Sequence, residues 1–276
     1  MAIEESEKLP DVVYRYFALT EPKRTEVRSL LVDGHLWLTN PRFFNDPFDL
    51  LPSFDEWTKQ KVENELLLKS VFNPPDQSSK QQHLDSLRSS LHTTFTESRL
   101  TVPLRFREDF GRKFGMICFS ACPHDVLMWS HYAQSHRGIV VGLDANDPAL
   151  LGQLARVNYS KSRPRFKPKD AFQMLFTKAE QWRYENEVRG VYDLSKVCLD
   201  KIQERHFVQL KKASIKSIRL GWLLKPEKES SVWLSRLLRE IKFDRSKISA
   251  MTPSSDQFSL QEEQLSKSFF YRWGKS

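Results

Sequence analysis

The chain of 276 residues is poor in the residue types that most often announce a function. Its three cysteines, Cys118, Cys122 and Cys198, are odd in number and fit neither a zinc spacing nor a disulfide framework. Reduced thiols in a cytoplasmic protein are the expectation. There are nine glycines and no Gly-rich phosphate loop, which disfavours a Rossmann or P-loop nucleotide site. No apolar run reaches the roughly 18 residues of a membrane span, so no membrane partner is expected. The opening stretch MAIEESEKLPD is acidic and lacks an apolar centre, and no secretory leader is expected from it. No Ser-His-Asp order or nucleophile elbow is visible. His124, His131 and His136 are spaced seven and five apart, which does not gather them on one helix, and no metal site is expected.

What is present points elsewhere. Hydrophobic residues make up 39% and aromatic residues 12% of the chain, including 19 Phe and 7 Trp, enough for a sizeable core. The formal net charge is +8, which suits an anionic partner such as a phosphate-bearing cofactor or a nucleic acid. The charge is concentrated in RVNYSKSRPRFKPKD (156–170). Arg156, Lys161, Arg163, Arg165, Lys167 and Lys169 all precede its first acid, with Tyr159 and Phe166 interleaved. This Arg156–Lys169 loop is the candidate contact for an anionic partner, and a solvated surface loop is its simpler reading.

The β-branched and aromatic VVYRYF (12–17) reads as a strand. EPKRTEVRSLLVDG (21–34) has a helical period and ends on Gly34, a C-cap. HLWLTN, GMICFSAC (115–122), GIVVGLD (138–144), NEVRGVY (186–192) and SIKSIRLGWLL (214–224) read as strands. Helices are expected over 54–72, 79–97, 125–136, 168–182 and 227–241, with a final strand or two after the last. Strands and helices alternate without a βαβ rhythm. The fold class that follows is α+β with a mixed, split sheet. One domain, 1–276, is expected, with a helical insertion at about 52–112.

Three stretches are dense in chemistry. In WRYENEVRGVY, a strand would put Glu185, Glu187 and Arg189 on one face, with both carboxylates facing an open cleft. Two carboxylates so placed repel unless a cation, a substrate or water separates them, and Glu–Arg pairing is the structural alternative. In the second stretch, Ser120 ends a strand, and Met128, His131, Tyr132 and Ser135 fall on one face of the helix that follows. In VVYRYF, Arg15 points opposite to Tyr14 and Tyr16 and can hold a phosphate or carboxylate bidentately. WLTNPRFFNDPFD adds a polar turn at Asn45, Asp46 and Asp49, with Phe43, Phe44 and Phe48 as its expected buried anchors.

The succession YRYF, LLVDGHLWLTNPRFFNDPFD, ICFSACPHDVLMWSHYAQSHRGIVVGLD, VNYSK, WRYENEVRGVY and IRLGWLL resembles family 2971 of bacterial domains of unknown function. The resemblance is strong over about 12–224 and most specific in three blocks: the Asn-Asp-Pro-Phe turn, the Trp-Ser-His-Tyr helix and the Trp-x-x-Glu-x-Glu-x-Arg strand. A second resemblance, at the level of motifs, is to the ADP-ribosyltransferase superfamily. It implies a split-sheet fold of that kind, NAD as substrate, and a role as a bacterial toxin or anti-phage defence effector modifying nucleic acid or protein, with an antitoxin or defence-system partner. It assigns Glu187, Glu185 and Ser120 to catalysis, and Arg15, Tyr14, Tyr16, Tyr132, His131 and Asn45 to NAD binding. Which of Arg15, Tyr14 and Tyr16 takes the first motif position stays open. Here the usual Ser-Thr-Ser run is reduced to CFS. Two rivals stand beside this reading: a nuclease-like, nucleic-acid-binding defence protein using a metal on Asp46, Asp49 or Glu187, and a non-catalytic binding module.

Overall fold

A computed structural model describes residues 8–53, 101–165 and 174–266, together with Phe269 and Trp273. In chain order its strands are β1 (Val12–Phe17), β2 (His35–Trp37), β3 (Phe114–Ser120), β4 (Ile139–Asp144), β5 (Leu154–Arg156), β6 (Asn158–Ser160), β7 (Thr177–Ala179), β8 (Glu187–Asp193), β9 (Cys198–Asp200), β10 (Arg205–Gln209), β11 (Ile215–Leu220), β12 (Ile248–Pro253) and β13 (Leu260–Gln264). The α-helices are α1 (Lys23–Arg28), α2 (Thr101–Lys113), α3 (Val126–Tyr132) and α4 (Glu229–Glu240). The chain groups into two compact units. One holds Met1–Thr39, Phe114–Val157 and Glu180–Ser276; the other holds Asn40–Lys113 and Asn158–Ala179.

The first unit is built on an eight-stranded sheet, ordered β13-β12-β11-β4-β1-β3-β8-β5. Only the β11–β12 pair is parallel, so the sheet is mixed and the architecture is α+β. The apolar runs sit in its middle. In β4, Ile139–Leu143 is buried throughout, as a strand covered on both faces requires. One face carries the main core, where Val13, Phe17, Ile117, Phe119, Val141 and Val188 meet Val27, Leu30 and Leu31 of the segment that begins with α1. The other face carries a smaller cluster of Tyr16, Met128, Trp129, Val140 and Met251, with Tyr14, Tyr132 and Tyr184 partly buried against it. A second sheet, β2-β10-β9, belongs to the same unit.

Gly34 closes the α1 segment in the left-handed region, at φ 75°. A Cβ there would meet the Leu210 carbonyl at 2.4 Å, so only glycine both caps the helix and lets β10 approach. Several elements end earlier than their periodicity suggests. The strand expected over 115–122 stops at Ser120, and the helix expected over 125–136 stops at Tyr132, with Gln134, Ser135 and His136 at positive φ. The helix expected over 168–182 is corrected in its described part. Thr177–Ala179 is a strand and Glu180–Glu185 a 3-10 turn, because β7 gains the parallel partner β6 in the second unit. The helices expected over 54–72 and 79–97 lie outside the described residues, whereas α2 falls at the end of the expected insertion. Among the described residues no helix is long and apolar enough to cross a membrane.

Candidate functional site

The strands bearing Tyr14, Ser120 and Glu187 are adjacent, in the order β1-β3-β8. Tyr14 is the partner of Ser120, and Ser120 the partner of Glu187. Residues directly opposite on neighbouring strands share a face, so these three form one row on the side of the smaller cluster. The row continues past Tyr14 to Gly142 and Ser217. A Cβ on Gly142 would lie 2.5 Å from the Ser217 hydroxyl and 3.2 Å from the Tyr14 ring. The glycine makes the dip in which that ring lies. The Arg219 guanidinium sits 5.0 Å from the Tyr14 ring centroid, within cation–π range.

Arg219 anchors a polar group beside the row. It donates to Glu262 at 2.8 Å and to the Ser217 hydroxyl at 2.7 Å, and Glu262 accepts from Ser249 at 2.7 Å. Burial pushes the Glu262 carboxyl up, but Ser249 and Arg219 together hold it below its ordinary range. The nearby His124 is pulled below its ordinary value by burial and then by Arg219. Neither Arg219 nor Glu262 stood out in the sequence. Strand alternation around Ile218 and Leu220 signals that Arg219 faces away from the core, but not which strand lies beside it.

At the far end of the row stand the two glutamates. The reading that Glu185 and Glu187 share one strand face is corrected. Glu185 ends the 3-10 turn, Asn186 takes φ 44°, and β8 begins at Glu187. Both carboxylates are buried, at 5% and 3% exposure, where an open face was expected. Glu187 accepts from Arg189 Nε at 2.6 Å and Nη2 at 3.0 Å, a bidentate pair with the arginine fully buried. Glu185 accepts from the Tyr132 hydroxyl at 2.5 Å. Next to it, His131 Nδ1 and the Tyr184 hydroxyl are 3.0 Å apart. The Trp-Ser-His-Tyr helix and the turn before β8 are therefore joined by two side-chain pairs, Tyr132–Glu185 and His131–Tyr184.

The other candidates are placed differently. Arg15 does not converge with Ser120 and Glu187, because alternation along β1 sends it through the opposite face. There its guanidinium lies 5.6 Å from the Phe17 ring. Burial pulls its pKa down, against the opposing field of Glu26. Its Nη1 is buried with no hydrogen-bond partner among the described residues. Ser120 and Tyr16 serve the loop after β3. The Ser120 hydroxyl donates to the Cys122 carbonyl and accepts from the Cys122 N–H, both at 3.0 Å, and Tyr16 donates to that carbonyl at 2.8 Å. Burial raises the Tyr16 hydroxyl pKa and keeps it a donor. Trp129 Nε1 donates to Pro123 at 2.8 Å, and Asp125 caps α3 through Met128 N–H. This pinned loop is what aims α3, with His131 and Tyr132, at Glu185.

Asn45 belongs to the second unit and is exposed. In its turn Asp46 accepts from Phe48 N–H at 2.8 Å, and Asp49 pairs with Lys178 at 3.8 Å. The expectation that phenylalanines anchor the turn is corrected for Phe43 and Phe48, while Phe44 is half-buried. Phe43 is 68% and Phe48 52% exposed, while Asp46, Asp49, Leu50 and Leu51 are buried. The Asx turn and the 3-10 turn Pro41–Phe43 fix the backbone and leave those rings outside. Among the described residues no group of three His, Cys, Asp or Glu is placed to hold a metal.

The basic stretch is not uniformly free. Arg156 donates to the Lys8 carbonyl and to Asn186. Arg163 donates to the Leu51 and Pro52 carbonyls, both at 2.7 Å. Lys161 and Arg165 are exposed, and Lys167 and Lys169 lie outside the described residues. If the stretch contacts nucleic acid, Lys161→Glu with Arg165→Glu lowers the slope of log affinity against log salt by about 2, at about 0.9 per phosphate on duplex. Affinity and slope measured by fluorescence anisotropy and unchanged by this pair reduce the stretch to a solvated surface. Comparisons of the chain with protein-family models, curated proteins and solved structures return no match in any of the three.

Proposed function

We propose that the face of the sheet bearing Tyr14, Tyr132 and Tyr184 binds NAD and transfers its ADP-ribosyl group, the chemistry of an ADP-ribosyltransferase-like fold. The observation that carries this reading is the register Tyr14–Ser120–Glu187 across three adjacent strands. It supports the reading by setting candidates for the three motif positions in one row, and it favours Tyr14 over Arg15 for the first. The residues fit NAD in kind. Three partly buried tyrosines and Trp182 offer aromatic surfaces for its rings, and Arg219 is a guanidinium on the correct face for an anionic group.

NAD supplies a ribose–nicotinamide bond whose electron pair leaves with the nicotinamide, through an oxocarbenium-like state that an acceptor then attacks. Glu187 offers a fixed negative charge toward such a state, held in place by Arg189. Glu185, at the turn before β8, takes the acceptor's proton, and the Tyr132 hydroxyl positions its carboxylate. His131 and Tyr184 hold the turn against α3. Nucleic acid and protein are the acceptors to test, with a role in toxicity or defence as the biological context. The test is nicotinamide release and label transfer from NAD by the purified wild-type chain, with both acceptor classes supplied. Release with transfer to one class supports the reading.

A specific observation favours a second reading. Glu187 and Arg189 form a buried bidentate pair, as a non-catalytic binding module would use to lock its sheet. No NAD consumption with any acceptor moves the assignment to that module.

A further inference from the structure

Arg15 is the residue of the VVYRYF strand that the tyrosine row does not use. It leaves β1 on the main-core face, on the side of α1. Among the described residues it makes no hydrogen bond and no ion pair, and its Nη1 is buried. The residue as a whole is half-buried, so solvent reaches part of it. A guanidinium with a desolvated, unpaired N–H is costly unless an acceptor meets it.

Glu26 is the carboxylate whose field acts on Arg15, and it is committed to other cations. Its Oε1 accepts from Lys23 at 3.0 Å and from Arg205 at 3.1 Å, and its Oε2 from Lys23 at 3.0 Å. The field of Arg205 reaches Arg15 as well. Three cations thus surround one buried carboxylate. Arg205 also lies 5.1 Å from the Trp37 ring centroid, and that indole carries a second orphaned donor. Trp37 Nε1 is buried with no hydrogen-bond partner among the described residues. Its ring is set by Phe207, at 5.5 Å across the β2–β10 pair, and by His35 at 6.3 Å. All of these residues belong to the first unit. Guanidinium and indole can only donate. A surplus of positive charge with two donors disfavours a metal cation and suits an acceptor that carries negative charge.

We propose that Arg15, Arg205 and the Trp37 indole bind a small oxyanion, the carboxylate or phosphate head of a ligand, on the face of the sheet opposite the tyrosine row. Acetate and inorganic phosphate are the probes for the two sources. In nuclear magnetic resonance on the isotope-labelled full chain, the Trp37 indole signal is assigned by its loss in Trp37→Phe. It shifts and saturates with at least one of the probes, at a Kd of about 5 mM or tighter. Chloride at matched ionic strength leaves it in place. The anion that saturates it names the head group. That anion, at about 50 times its Kd, raises the melting temperature of the wild type by about 5 °C more than that of Arg15→Met. The variant carries any general effect of the salt. Without the anion, Arg15→Met melts no lower than wild type, because it removes an unpaired buried charge while Glu26 keeps Lys23 and Arg205. Arg205→Gln, at a half-buried position, weakens the anion about tenfold. Tyr14→Ala, on the other face, leaves the Trp37 shift unchanged, which separates this site from NAD binding. The proposal is overturned if neither anion moves the Trp37 signal saturably, if chloride moves it equally, or if Arg15→Met or Arg205→Gln keeps the full response. It is overturned equally if Tyr14→Ala removes the shift. Arg15→Met melting well below wild type without the anion also overturns it, and makes Arg15 a structural partner of Glu26.

Discussion

Glu187→Gln is expected to lower the melting temperature by roughly 10 °C. In the wild type the Arg189 guanidinium has no exposed surface and is held by both Glu187 oxygens, at 2.6 and 3.0 Å. The amide keeps one acceptor but removes the charge. Breaking a buried pair by neutralising one partner costs about 3–5 kcal/mol, because the other charge stays desolvated. Arg189→Ala costs a similar amount by removing both of those bonds from the buried carboxylate. The double variant Glu187→Leu, Arg189→Met keeps the volume with no buried charge and recovers most of the loss. Thermal unfolding of the four chains gives the coupling energy directly. A Glu187→Gln chain that melts like wild type would mean that the pair is not what holds β8.

That buried pair marks the boundary of what could be read from the sequence. The strand around Glu187 and its alternation with Arg189 were legible, because period-2 patterning in NEVRGVY survives in β8. The strands at 12–17 and 138–144, the first part of the one expected over 214–224 (Ile215–Leu220), the helix at 227–241 and the Gly34 cap were legible for the same reason: each is a local pattern with local punctuation. Partners were not legible. Whether Glu187 faces solvent or Arg189 depends on β3 and β5 covering both edges of β8, which is a non-local fact. Arg15 illustrates this well. Its opposition to the tyrosines is a local pattern, yet only the Tyr14–Ser120 register decides which of them shares a row with Glu187. Arg219 escaped attention because nothing local distinguishes it from any arginine between buried aliphatics. The short β9 and β10, in VCLDKIQERHFVQ, carry too few β-branched residues to stand out and are fixed by pairing with β2.

Glu185→Gln is the variant expected to separate chemistry from folding, if the chain transfers ADP-ribose. Glu185 sits in a turn and not in the sheet. The amide retains an oxygen that can accept from Tyr132 across the same 2.5 Å contact. The bond described for Glu185 comes from a neutral hydroxyl, where Glu187 accepts from a guanidinium. The melting temperature should move by only a few degrees, far less than for Glu187→Gln. The amide cannot accept a proton. Loss of a positioned general base costs about 10²–10⁴ in rate, and it falls on the step in which the acceptor attacks. Label transfer from NAD should therefore drop by at least about a hundredfold, while hydrolytic release of nicotinamide falls much less. Raising the pH should recover part of the transfer, because a more basic solution deprotonates the acceptor without help. Transfer that survives Glu185→Gln at the wild-type rate removes Glu185 from the chemistry. Equal loss of transfer and hydrolysis, with a melting temperature lowered as far as in Glu187→Gln, makes it a structural partner of Tyr132.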